Sequence, residues 1–237
     1  MTRIKPATLT IEWLDRTRNH LLLASPFYVL VPIAFFAAFQ AMGVMPSWLM
    51  MGAGALGWFF ALMLRGPVAV LAQKFAGSEE KAKLWIAASS GPLEEGVRLL
   101  VLLWLGRDLA TALAIGLGWA AIEVAFALIN SFVANVMLRS DDPKIVETRE
   151  MLAQQINTDN GPWWGVVERI SASAYHIGNA LLIAFMPLAV LLAAPLHTAI
   201  NLGVVHLSKR SMGLAQVLVA VAGALTLGFG FALFQWF

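Results

Sequence analysis

Four short motifs place ionisable or hydrogen-bonding side chains inside otherwise apolar stretches. They are Glu94, Glu95 and Arg98 in "EEGVR", Glu123 in "GLGWAAIE", His176 in "VERISASAYHIG", and His197 with Asn201 in "PLHTAIN". Adjacent carboxylates are suited to general acid–base chemistry on water. Glu94 and Arg98 stand four residues apart, so they share a helix face and are expected to pair. Glu95 is about 100° further round, so the two acids are expected to do different work. His197 and Asn201 are again four apart and present an imidazole and an amide on one face, a combination suited to metal binding and to stabilising an oxyanion.

The elements that carry these residues are membrane spans. The chain has 237 residues, of which 59% are hydrophobic and 13% charged, against about 25% charged in an ordinary soluble domain. Its apolar runs reach the roughly 20 residues that a helical crossing needs, and they lack the alternation of a membrane β-barrel. The expected fold is an all-α integral membrane protein forming one domain over 1–237. Seven spans are expected, over 21–42, 48–72, 84–105, 109–137, 165–185, 187–207 and 213–234. Pro187 divides the fifth from the sixth, because residues 165–207 as one helix would be about 64 Å long, twice the hydrocarbon thickness.

Basic residues orient these spans. Twelve lysines and arginines fall on one side of the seven-span arrangement and only Arg107 on the other, which places the N-terminus in the cytoplasm and the C-terminus outside. Residues 1–20 are expected to form a cytoplasmic interfacial segment, and 138–164 a cytoplasmic loop with a short amphipathic helix over "DDPKIVETREMLAQQI" and a turn at "NTDNGP". Ser78 is expected to cap a helix that opens with Glu79 and Glu80, and Asp108 to cap the next. Gly91-Pro92 is expected to kink the third span. The basic residues form no single stripe, so nucleic acid is not an expected partner. Without cysteine, disulfides and thiolate chemistry are excluded.

Depth ties the motifs together. At 1.5 Å per residue, Glu95, Glu123, His176 and His197 each lie about 15–21 Å into their spans, near the middle of a core about 30 Å thick. Each ionisable group there costs on the order of 2.5–3.5 kcal/mol on insertion scales. Four helices converging at one depth suggest a site. Structural alternatives exist for single residues: Glu123 could pair with Arg65, and Glu168 with Arg169.

Taken in order and spacing, "EEGVR", "GLGWAAIE", "VERISASAYHIG" and "PLHTAIN", with "LMLRGP" around Arg65, resemble the YhfC-like intramembrane metalloproteases, relatives of the PrsW-type proteases and of the CAAX prenyl proteases and bacteriocin-processing enzymes. The resemblance covers roughly 48–207. It implies a prokaryotic cytoplasmic membrane and an intramembrane endopeptidase acting on a membrane-embedded peptide or protein. It implies that Glu94 or Glu95 activates water, with the first of the pair favoured, and that Arg98 orients the pair. His197 and Asn201 match its final motif, His176 its additional histidine, and Glu123 its second-motif polar residue. The arginine spacing EExxR, where CAAX-type members have EExxxR, and glutamate in the second motif set this chain apart from prenyl-substrate enzymes. In a metal-dependent form Glu123, His176 and His197 hold Zn2+. In a metal-free form Glu94 and a partner activate water while His197 and Asn201 face the oxyanion. Both forms stay open, as do two other classes: a proton-coupled transporter or membrane binding protein using the same Glu/His cluster, and a bis-histidine haem protein. Oligomeric state is open too.

Overall fold

The computed structural model describes residues 10–155 and 161–236. Among the described residues there are nine α-helices and no strand: α1 Ile11–Ala41, α2 Trp48–Phe75, α3 Glu79–Ala88, α4 Ser90–Leu105, α5 Leu109–Leu138, α6 Val146–Gln155, α7 Trp163–Phe185, α8 Val190–Ser208 and α9 Met212–Trp236. Five of these segments are long and apolar enough to cross a membrane: α1, α2, α5, α9, and α8 with the 3-10 turn that leads into it. α5 is the central one, with 56% of its most apolar window buried against 11% for α1.

Local chemistry explains the boundaries. Ser78 accepts from Lys81 N at 3.3 Å and opens α3, and Asp108 accepts from Thr111 N at 3.0 Å and opens α5. A 3-10 turn at Pro187–Ala189 separates α7 from α8 where the uncharged "FMPL" stretch divides two spans.

Two expectations about elements change. The first span does not begin at residue 21: Ile11 to His20 of the expected interfacial segment are already helical and continue without a break into α1, and the first nine residues of that segment lie outside the described ones. The segment 84–105 is not one helix. Its break comes at Ser89, where Ser89 and Ser90 hydroxyls bond back to the carbonyls of Ile86 and Ala87. Pro92, lacking an N–H, leaves the Ala88 carbonyl without its helical donor, and the Thr198 hydroxyl of α8 fills that place at 2.9 Å. In the 138–164 loop the expected short helix is α6, preceded by a 3-10 turn at Pro143–Ile145; the "NTDNGP" turn falls almost wholly on undescribed residues.

Close helix approach depends on glycine at two points. A Cβ on Gly91 would run into Ala194 O and Thr198, so α4 can lie against α8 only without one. A Cβ on Gly118 would strike the Met51 backbone and part α5 from α2. Leu102, Leu113, Leu117, Ile177, Leu181 and Ile183 then close one half of the bundle as an apolar core.

Candidate active site

The other half of the bundle is hollow. A cavity of about 430 Å³ is bordered by residues of α2, α4, α5, α7, α8 and α9. Its polar border comprises Arg65, Glu94, Asn130, Glu168, Arg169 and Asn201 with Glu123, Tyr175, His176 and His197; Trp58, Phe126, Ile200, Val204, Val205 and Val219 supply apolar walls. Trp58, Glu123, Tyr175, His176 and His197 lie at or just across the midpoints of their helices, and Arg65, Asn130, Glu168, Arg169, Asn201, Val204, Val205 and Val219 lie on the halves nearest Phe75, Leu138, Trp163, Ser208 and Met212. That is the end of the molecule that carries Lys74, Arg139, Lys209 and Arg210.

All seven sequence-selected site residues meet here, in two layers. Glu94, Glu123, His176, His197 and Asn201 border the cavity. Glu95 and Arg98 lie behind them with 0% exposure. α4 makes this layering, because successive residues on a helix point about 100° apart.

The buried layer is a charge-balanced clamp. Arg98 donates to Glu95 and, at 2.9 Å, to Nδ1 of His176, with its guanidinium 4.3 Å over the Trp119 ring. Glu95 also accepts from Asn179 at 3.2 Å and meets His197 Nδ1 at 2.6 Å. The carboxylate therefore assigns the His197 proton to Nδ1, which leaves the lone pair of a neutral ring on Nε2. His176 is held on both sides: Nδ1 accepts from Arg98, and Nε2 donates to Glu123 at 2.6 Å.

The cavity layer is different. Glu94 takes Arg65 on Oε1 and the Trp119 indole at 3.3 Å on Oε2. Its Oε2 lies 3.9 Å from His197 Nε2, beyond direct hydrogen bonding. Asn201 donates to Ser90 Oγ at 3.0 Å. Arg169 bridges Glu123 at 2.8 Å and Glu168 at 2.5 Å.

Several expected pairings are thus exchanged. Arg98 pairs with Glu95, three residues away, and not with Glu94, because Arg65 reaches Glu94 from α2. Arg65 is then not the partner of Glu123, which Arg169 takes; the Glu168–Arg169 pair forms as expected. Trp119, Tyr175 and Asn179 were not singled out in the sequence. The signal for the last two was there: they flank His176 on α7, four residues apart, and Tyr175 sits edge-on to both imidazoles with ring centroids 5.3 and 5.9 Å away.

Glu94, His176 and His197 could hold a metal ion, since one ligand atom from each lies within 4.8 Å of the others. This grouping has Glu94 where the sequence reading had Glu123. Glu123 stands instead behind His176, and Glu95 behind His197, in the place where carboxylates orient metal-binding imidazoles. No family model, no curated protein and no solved structure matches the chain.

Proposed function

We propose that the protein is an intramembrane endopeptidase that hydrolyses a peptide bond of a membrane-embedded substrate with water activated at Glu94. One observation carries this reading: Glu94 Oε2 and His197 Nε2 face each other across 3.9 Å at the border of a cavity large enough for an extended peptide segment. A polar gap of that width calls for a bridging water. Glu94 takes the proton of that water, and the His197 lone pair accepts its other hydrogen and aims the oxygen. Glu95 fixes the His197 tautomer, and Arg98 holds Glu95. Glu95 itself is sealed from the cavity, which makes Glu94 the base of the pair. The resemblance of the motifs to intramembrane proteases supports the same assignment, as does the topology we read for the chain: seven crossings, with α3–α4 and α7 added to the five long apolar helices, and the basic end with its cavity towards the cytoplasm.

A second form of the reading rests on the Glu94, His176 and His197 cluster. Its donor set fits zinc, with two imidazoles and one carboxylate leaving a fourth position open. His176 would have to give up one present partner to serve, because both of its nitrogens are engaged. Zinc held there supplies a Lewis acid that lowers the pKa of its water towards 7.

The test is cleavage of a library of membrane peptides by purified protein in liposomes, wild type against Glu94→Gln. Product from the wild type and none from the variant is expected. Equal product from both ends the reading, and substrate flux across the vesicle without cleavage favours the transporter class. Zinc content decides between the two forms: stoichiometric zinc with loss of activity on chelation establishes the second, and full activity in chelator leaves the first.

A further inference from the structure

Hydrolysis at this site needs a donor for the oxygen that becomes negative when water adds to the carbonyl, and such donors carry much of the catalysis in acyl transfer. The side chains that the sequence offered for this task are a weak match to a full negative charge. Asn201 gives one of its two amide hydrogens to Ser90 and brings no charge, and His197 directs its Nδ1 proton to Glu95 while Nε2 presents a lone pair. Arg98 is sealed behind the site, where Glu95, His176 and the Trp119 ring engage its guanidinium. Arg169 is bracketed by Glu123 and Glu168.

Arg65 is the remaining cation at the cavity. Its side chain is 31% exposed and borders the cavity. Glu94 is its ion-pair partner among the described residues, and its Nε is buried with no hydrogen-bond partner. α2 runs unbroken past Arg65, although Pro67 cannot bond to the Met63 carbonyl. The guanidinium therefore has a donor without a partner and stands at the border of the cavity.

We infer that Arg65 is the oxyanion donor of the reaction, an assignment that rests on the hydrolase reading above. Charge movement explains why the group that pairs with the base should also serve the oxyanion. Before reaction the negative charge is on Glu94, with Arg65 on Oε1 and the water at Oε2. The water oxygen bonds to the carbonyl carbon, its proton passes to Glu94, and the carbonyl π pair moves onto oxygen. Glu94 is now neutral, and the charge it lost is on the oxyanion beside it. Arg65 follows that charge from the carboxyl group to the oxyanion without a change in the net charge of a buried site. When the C–N bond breaks, the π pair returns to the carbonyl, Glu94 gives its proton to the leaving nitrogen, and Arg65 returns to Glu94. The products are one carboxylic acid and one amine.

The test uses full-length protein in neutral-lipid nanodiscs and two peptides of the same sequence. One has the scissile amide and the other a phosphinic group, whose anion stands in for the tetrahedral intermediate. Arg65→Gln is expected to weaken the phosphinic peptide by about tenfold or more, the scale of one charge-assisted hydrogen bond. The amide peptide should bind almost as before, kcat should fall with KM nearly unchanged, and Arg65→Lys should recover part of the loss. An equal fall for both peptides shows a merely structural ion pair and overturns the assignment while leaving the hydrolase reading intact. Undiminished kcat in Arg65→Gln also overturns it. A wild type that neither cleaves the amide nor prefers the phosphinic peptide overturns both.

Discussion

The two halves of the bundle treat polarity in opposite ways. At one end Leu102, Leu113, Ile177 and Leu181 are fully buried and close-packed. At the other end the same helices spread around a cavity and bring glutamates, arginines and histidines to its surface. In lipid the apolar end gains little from hiding greasy side chains, since the surroundings are equally greasy; it holds by packing. The charged end holds because nearly every charge has a partner. Buried ion pairs add little net stability, whereas breaking one leaves a costly orphan. The closed end thus packs the helices together while the open end holds its paired charges around the cavity.

The sharpest way to test this contrast is to change one carboxylate of the open end. Glu94→Gln should lower kcat by about 10²–10⁴-fold, the usual range for a lost general base. Unfolding in detergent, followed by tryptophan fluorescence, should barely move, because Arg65 opens onto the cavity and can be hydrated there. A large loss of stability in this variant would show that Glu94 belongs to the clamp and not to the chemistry.

Arg98→Met probes the layer behind. It strands Glu95 at zero exposure, and removing one partner of a buried pair costs about 3–5 kcal/mol. The expected result is a marked fall in thermal midpoint together with loss of activity. A stable but inactive Arg98→Met protein would make Arg98 part of the reacting surface and erase the two-layer distinction.

These neighbours also show what a sequence can and cannot say. The depth of Glu95, Glu123, His176 and His197 follows from rise per residue alone, so their convergence was legible. The caps at Ser78 and Asp108 and the division at Pro187 were legible because they depend on residues close in the chain. The partners were not. Residues three and four apart on a helix are equally near, and the choice of Glu95 over Glu94 for Arg98 goes with Arg65, twenty-nine residues upstream of Glu94, which takes that carboxylate. Glu123 likewise went to Arg169 on another helix. A bend near Gly91-Pro92 was legible, but its form was not: a full break at Ser89, with Thr198 of α8 filling the carbonyl that Pro92 leaves open, depends on a contact between two helices distant in the chain.

In the closed half, Leu113→Ala should behave in the reverse manner to Glu94→Gln. Leu113 has no exposure, and truncating a buried leucine costs about 2–5 kcal/mol through the void it leaves. Stability should fall while kcat of the folded fraction stays near wild type. A kcat that drops in proportion would show that packing at the closed end sets the geometry of the cavity, and the two halves would have to be treated as one unit.

The smallest effect concerns the junction between α4 and α5, outside the spans. The Asp108 carboxylate accepts from the Thr111 hydroxyl at 2.6 Å and from its N–H at 3.0 Å, and these bonds hold its pKa below the usual carboxylate value. A group whose folded pKa is depressed contributes its stability above the unfolded pKa and loses it as pH falls through the folded one. Asp108→Ala should therefore cost about 1 kcal/mol at neutral pH, the usual value of an N-cap. The gap from wild type should narrow as the medium is acidified below the ordinary aspartate range. Thermal unfolding of both proteins across that range measures it, and a gap that stays constant down to the lowest pH would mean that the Asp108 charge contributes nothing and that the cap acts by shape alone.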